Sequence, residues 1–338
     1  MASRTEDVIN YILHEIHTGS WPVQSRIPSQ MSLTQKLNCS RTTVERAVAK
    51  LVAAEVLASK RGSGTFVCKK KSGSISEIII VAAGIDQQQR SSFTEMFMGL
   101  DTSSLPTYWY NFEQAFNNIC ELKQRKAAVI SYMPDPPQLL FLNSLRDLGV
   151  PVLVINRTYG NFDYVSTDTE AGLREGISWL FGKTGSNAET ALVTFQPDQL
   201  RPYLAERVIA CYEIIMELGM NMPPELIIRQ EFSDKSSYAR IADIFSRKSS
   251  RLLALISPNN DLASACLKIA RQHKKVCGKD FFLLTYDGIY SEQLPSGIGI
   301  LNQNFQQFQP HIEQWIRHKL SGNQDRFTAK VKTRLRTY

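Results

Sequence analysis

Two short stretches of the chain carry residue types and spacings suited to gripping a polyanion. In Ser40-Arg41-Thr42-Thr43-Val44-Glu45-Arg46 a serine stands where a helix N-cap belongs. Arg41 and Thr42 then occupy a first helical turn, where free backbone N–H groups face any approaching phosphate. An arginine there can address guanine through two parallel hydrogen bonds, and threonine hydroxyls reach bases or phosphates. The second stretch, Lys60-Arg61-Gly62-Ser63-Gly64, mixes two cations with two glycines. Such a tip brings charge and bare backbone close to a groove.

The elements needed to hold these residues are legible on both sides. Val44, Ala47, Val48 and Leu51 recur at helical spacing, leaving Thr42, Glu45, Arg46 and Ala49 on the outer face. Upstream, Ser3 and Glu6 have capping-box spacing, and Val8, Ile9, Ile12, Leu13 and Ile16 form an apolar stripe ending near Gly19. Trp21-Pro22 interrupts the chain. Pro28-Ser29 opens a second helix bearing Met31, Leu33 and Leu37, and Asn38-Cys39 turns into the third. Val56–Ala58 and Thr65–Val67 read as strands flanking the glycine-bearing tip. Three helices and a basic hairpin make a winged helix-turn-helix.

Arg26-Ile27-Pro28-Ser29, Leu37, Ser40 to Val44, Ala47, Leu51 and Arg61 to Val67 resemble the DNA-binding domain of the GntR family without a gap over about residues 5–68. The resemblance implies that Ser29, Arg41, Thr42, Thr43 and Arg46 meet DNA at or near the major groove. It also implies that the wing, Lys60, Arg61, Gly62, Ser63 and Gly64, reaches the adjacent minor groove. Two positions depart from the family pattern: Met31 and Glu45 stand where arginine is usual. Glu45 repels phosphate but can accept from a cytosine amino group, so operator choice is where the departure should tell.

Charge follows the same division. Residues 1–71 hold 11 Lys/Arg against 5 Asp/Glu, residues 72–316 hold 21 against 26, and residues 317–338 hold 7 against 1. A basic front end on a near-neutral body points to a polyanion partner for that end. The basic tail reads more readily as a solvated strand. No apolar run approaches the roughly 18 residues of a membrane span, and Met1 to Asp7 lacks a signal-peptide pattern, so a cytoplasmic location is expected. The cysteines at 39, 68, 120, 211, 266 and 277 form no Cys-x-x-Cys pair and read as reduced thiols.

Past the basic segment Cys68-Lys69-Lys70-Lys71, apolar strands alternate with amphipathic helices. Strands are expected at 78–82, 107–112, 127–131, 150–155, 164–166, 191–195, 226–229, 252–256, 281–285 and 298–301. Helical patterns lie between most of them, with a shortened first helix around 92–100. Repeated βα units give a parallel sheet covered on both faces, and about 260 residues with a central break suit two lobes. Domain boundaries are expected at 1–68, a linker at 69–76, and an effector domain at 77–338.

A second resemblance covers about residues 75–338. Gly149 to Arg157, Val165 to Gly172, Glu206-Arg207 followed by Ala210, Ser257 to Ala263, Gly278 to Gly288 and Asn302-Gln303 resemble, in order, the LacI-type sugar-sensing domain, a two-lobed periplasmic-binding-protein-like (type 1) fold. In open α/β sheets ligands bind beyond the carboxyl ends of strands. With that geometry the resemblance implies effector contacts at Arg207, Asn260 and Asp287, then Asn156 and Gln303. Strand-end position adds Asp86 and Tyr132. Planar carboxylate, amide and guanidinium groups can each address neighbouring hydroxyls, and an aromatic ring can cover a sugar face. Alternatively, Asp261 and Asp287 cap turns or helices and Arg207 makes an inter-helix ion pair. Tyr108-Trp109-Tyr110 suits core or subunit interface better than a ligand platform.

The reading that results is a transcription regulator, a repressor, with double-stranded DNA as partner at a palindromic operator. Homodimerisation, a sugar-like effector held between two lobes, no membrane, no cofactor and no metal complete it. Induction and co-repression both remain open. An α/β enzyme is the alternative, but Gly84 alone makes no Gly-x-Gly-x-x-Gly, and neither Gly-x-Ser-x-Gly nor a Walker lysine occurs. The histidines at 14, 17, 273, 311 and 318 lack metal spacing, and no catalytic residue is nominated. An effector-independent architectural protein would need apolar strand ends, whereas these are polar.

Overall fold

The computed structural model describes residues 4–17, 20–22, 24–54, 56–68, 75–82, 87–196, 201–231, 238–289 and 294–338. At the amino end, helices α1 (Arg4–His17), α2 (Gln30–Leu37) and α3 (Arg41–Ala53) precede strands β1 (Leu57–Lys60) and β2 (Gly64–Val67). The expected stripes meet: Val8, Ile9, Ile12, Leu13, Leu33, Val44, Ala47, Val48 and Leu51 are all buried. Ile16 and Leu37 are half-buried against them, while Met31 points outward, 74% exposed. Ser29 and Ser40 cap α2 and α3 by accepting from the amides of Ser32 and Thr43. Between the two helices Asn38 takes the left-handed conformation (φ 46°), which asparagine tolerates better than most residues. β1 and β2 pair antiparallel from Leu57↔Val67 to Lys60↔Gly64. Ser3, Gly19 and Lys69–Lys71 lie outside the described residues.

The chain forms two compact units, residues 1–166 with 305–329, and residues 167–304 with 330–338. After the winged segment the first contains β3 (Glu77–Ala82), α4 (Gln87–Phe97), β4 (Thr107–Asn111), α5 (Phe112–Asn117), α6 (Ile119–Gln124), β5 (Ala127–Tyr132), α7 (Leu139–Asp147), β6 (Val152–Ile155) and β7 (Asp163–Thr167), whose last residue belongs to the second. β4, β3, β5, β6 and β7 are hydrogen-bonded in that order, all parallel. Every residue of β3, β5 and β6 is buried, as expected of strands covered on both faces. In this unit α1 packs against α7, and α3 against α6.

The second unit contains α8 (Thr169–Thr184), β8 (Glu189–Phe195), α9 (Pro202–Glu217), β9 (Ile227–Gln230), α10 (Ala239–Ser246), β10 (Leu253–Ser257), α11 (Asn260–Gln272), β11 (Phe281–Tyr286) and β12 (Ile298–Asn302). Its parallel order, β9-β8-β10-β11-β12, repeats that of the first sheet. In each, the first strand has its chain successor on one side and the later strands on the other, which is a topological switch point. α12 (Phe308–Leu320) returns to the first unit. β13 (Thr328–Val331) then joins the edge beside β7, and β14 (Arg334–Thr337) runs antiparallel to β12.

Two expectations need correction. The first helix of the α/β body is not confined to 92–100: α4 begins at Gln87 and ends at Phe97. Its opening Gln87-Gln88-Gln89-Arg90 has no apolar residue, so periodicity could not register it. The tail is not one strand but two, one on each sheet.

Candidate nucleic-acid interface and effector positions

The residues named from sequence for DNA contact all sit on one small scaffold. Arg41, Thr42 and Arg46 on α3 are exposed, as are Ser29, Lys60, Arg61, Gly62 and Ser63, while Thr43 and Gly64 are half-buried. Thr43 is tied back, its hydroxyl 2.8 Å from the Ser40 hydroxyl. Arg41 Nε donates to Glu45 Oε1 at 2.8 Å, one helical turn on. Glu45 therefore engages the arginine, and the terminal nitrogens of Arg41 remain outside this contact. At the wing, Ser63 N donates to Lys60 O, and the Lys60 ammonium lies 5.4 Å from the Phe66 ring centroid. Gly64 has φ +109°, and a Cβ there would sit 2.5 Å from Arg26 Nε. Arg26 thus underpins the wing, a supporting role invisible in its spacing.

In the second unit three of the named effector positions converge. Arg207 is 9% exposed on α9. Its Nη1 donates to Pro258 O at 3.1 Å and its Nη2 to Asp287 Oδ2 at 3.3 Å. The guanidinium carbon lies 3.9 Å from the centroid of Tyr286, with Tyr203 at 5.8 Å. Gln303 Nε2 donates to Asp287 Oδ1 at 2.7 Å, and its own Oε1 accepts from Thr167 Oγ1 at 2.8 Å. Asp287 follows β11 with φ +66°, and Gln303 follows β12, so both occupy carboxyl ends of strands. Burial pushes the Tyr286 hydroxyl up to about 12, and the Arg207 charge only partly opposes this. Tyr286 thus serves as a neutral face for the guanidinium.

Asn260 is half-exposed in the first turn of α11, two residues past the carbonyl that Arg207 grips. The cap of that helix is Asn259, whose Oδ1 accepts from the amides of Asp261 and Leu262. Asp261 therefore does not cap it. Thr167, Tyr203 and Tyr286 were missed from sequence. A polar or aromatic residue ending a strand beside a nominated one was the available signal for Thr167 and Tyr286.

In the first unit Tyr132 ends β5 and Asn156 follows β6, with Tyr132 paired to Ile155 across the two strands. Tyr132 is buried, shares a hydrogen bond with the Ser92 hydroxyl at 2.9 Å, and meets Phe93 edge-on at 5.0 Å. Asn156 is also buried, in the left-handed region at φ +55°. Asp86 lies outside the described residues. Among those described, no group of three His, Cys, Asp or Glu could hold a metal ion, and no helix is long and apolar enough to cross a membrane.

Comparison with known proteins matches residues 4–67 to the family described as bacterial regulatory proteins, gntR family. Over 60 residues the chain is 42% identical to the histidine utilization repressor of Pseudomonas putida, a stretch covering 18% of this chain and 24% of that one. The chain spans about a quarter of the length of the curated relatives it matches most strongly. Among solved structures, the transcriptional regulator CelR in its cellobiose complex superposes with a TM-score of 0.61 at 15% identity, over 88% of this chain and 89% of that one. A LacI-family regulatory protein from Chloroflexus aggregans gives 0.62 at 14% identity, over 77% and 97%. Residues 4–67 are a GntR-family helix-turn-helix domain, and the α/β body has the fold of LacI-type, periplasmic-binding-protein-like regulators.

Proposed function

We propose that the chain is a sequence-specific transcriptional repressor whose DNA affinity is set by a small polar effector, a sugar or sugar derivative. Residues 1–68 read the operator, 69–76 link, and 77–338 sense. The observation that carries the sensing half is the Arg207–Asp287–Gln303–Thr167 chain, which places guanidinium, carboxylate and amide at the carboxyl ends of one sheet. These groups bond one another. A ligand with neighbouring hydroxyls offers replacement donors and acceptors of the same kind. Asn260 stands beside them, and Asn156, Tyr132 and Asp86 are the first unit's contribution to the reading. The DNA half rests on the exposed Arg41, Thr42 and Arg46 with the Lys60–Gly64 wing.

One winged domain reads few base pairs, so a homodimer on a palindromic operator is part of the proposal. It acts in the cytoplasm, needs no cofactor and has no catalytic residue. The regulators it resembles support this reading over an enzyme. The test is electrophoretic mobility on the chain's own promoter, repeated with mono- and disaccharides. A sugar that lowers retention in the parent protein but not in D287N supports the sensing site. If no sugar changes either retention or melting temperature, the sensing half falls.

A further inference from the structure

A cavity of about 400 Å³ opens in the first unit at the amino-terminal ends of β6 and β7, where Val152 and Asp163 begin their strands. Tyr132 and Asn156 lie at the opposite end of the same sheet. Three cations line the cavity: Arg146 from the last turn of α7, Lys319 from the last turn of α12, and Arg326 from the segment before β13. One of them is already balanced. Lys319 is 6% exposed, with Nζ 2.9 Å from Asp163 Oδ2. The same oxygen accepts from Trp315 Nε1 at 2.7 Å, and Asp163 Oδ1 accepts from Phe327 N at 2.9 Å. Both oxygens of that carboxylate are therefore engaged from within the fold.

The two arginines are held without being consumed. Arg326 Nη2 donates to Gly160 O at 2.8 Å, and its Nε points to Phe162 O at 3.4 Å. Arg146 lies against Phe162, 5.0 Å from the ring centroid, with Nε 3.6 Å from Asp147 Oδ1. These contacts leave Arg326 Nη1 and both terminal nitrogens of Arg146 available. A basic residue in a final helical turn also offsets the helix dipole, which accounts for Arg146 by itself. It does not account for Arg326, which is on no helix and lines the same cavity.

We infer that this cavity is a second ligand site, selective for a small phosphate monoester. Two guanidinium forks match the double charge of a phosphate and its several acceptor oxygens. A cavity of this size falls in the range that takes small molecules. At its rim, the amides of Asn161 and Gln324 suit hydroxyls on the ester. The ligand would grip the end of α7, the helix against which α1 of the winged segment packs. Occupancy at Arg146 therefore alters DNA retention, a consequence that rests on the repressor reading. Binding itself does not rest on it.

Calorimetric titration of the full chain, in buffer free of phosphate and sulfate, separates the two. Inorganic phosphate and glucose 6-phosphate are the probes, with sulfate and chloride as controls. Saturable binding is expected, weakened about tenfold or more in R146Q and unchanged in D287N. In R146K, which keeps the charge and loses the fork, affinity should fall between the two. N161D places a carboxylate at the rim without touching a buried contact and should abolish binding, so the test survives if R146Q fails to fold. Absence of saturable heat with either phosphate probe overturns the proposal. So does equal affinity in R146Q and the parent, or equal affinity for sulfate and phosphate. If R146Q instead shallows the salt dependence of DNA binding with no phosphate present, Arg146 is a DNA-backbone contact and the small-ligand site is wrong. Failure of the chain to bind any promoter leaves the calorimetric result standing.

Discussion

Arg41 and Glu45 form an exposed pair that, on the proposed reading, bears on recognition more than on stability. Their side chains are 79% and 44% exposed, so the 2.8 Å bond adds a few tenths of a kcal/mol at most. Its effect is orientational: Nε is occupied, and the outer nitrogens retain the fork that matches guanine O6 and N7. R41A should therefore lose about 1–3 kcal/mol of specific operator binding, with a smaller loss on scrambled duplex from the missing charge. E45Q should raise affinity for scrambled duplex by removing a negative charge, and narrow the gap between operator and scrambled sequence. Unchanged operator affinity in R41A, measured by mobility shift at fixed salt, would remove the arginine from the interface. Arg41, Ser40 and Asp287 could be named from sequence because each holds a local position, at a helix start or a strand end. Tyr286 and Thr167 also end strands, but their partners could not be named from that position. The ring under Arg207 and the hydroxyl beside Gln303 come from elements distant in the chain.

At the level of elements, the buried strands were legible because covering both faces demands unbroken apolar runs such as Ile78-Ile79-Ile80-Val81. β13 and β14 read only as a single solvated strand for the opposite reason. They are edge strands, and Lys330, Arg334 and Arg336 alternate with the few apolar residues, Val331 and Leu335. β4 is the edge with a different character. It borders the first sheet with Tyr108 42% and Trp109 51% exposed, and Trp109 is supported from behind by Phe93 at 5.0 Å. An edge strand with exposed aromatics invites a second copy. W109K should shift the protein toward monomer in sedimentation velocity with an unchanged far-UV spectrum, and a persistent dimer would place the interface elsewhere. α8 offers a test of close packing. A Cβ at Gly176 would meet Leu284 Cδ1 at 2.7 Å and Leu301 Cδ1 at 3.0 Å, and both leucines are fully buried. Alanine gains about 1 kcal/mol in helix propensity, whereas overpacking costs about 1–3 kcal/mol. G176A should therefore lower stability by about 1 kcal/mol in denaturant titration, and a stabilised variant would show that this helix can lift.

For the whole molecule, the two sheets of the α/β body were legible in the repeated βα pattern, but the segments that return between the units were not. Nothing local tells α12 to rejoin the first unit or the tail to divide between two sheets. What could be read was the burial that follows from a core of this size, and the cysteines make it measurable. Cys120, Cys211, Cys266 and Cys277 are buried, whereas Cys39 and Cys68 are half-buried. Loss of hydration pushes the Cys120 thiol up to about 11 and the other three to about 12, from an ordinary value near 9. A thiol harder to ionise in the folded chain stabilises the fold fully below about pH 9. Above it the unfolded chain releases protons that the folded chain retains, so stability falls as pH rises toward 12. The midpoint of thermal unfolding should hold from pH 7.5 to 8.5 and then decline steadily to pH 10.5. C266A should make that decline shallower, although its midpoint at pH 7.5 will be lower. Alkylation at pH 8 should modify Cys39 and Cys68 first, with the other four reacting only after denaturant is added. A flat midpoint across the alkaline range, or six thiols reacting at one rate, would mean that these cores admit water.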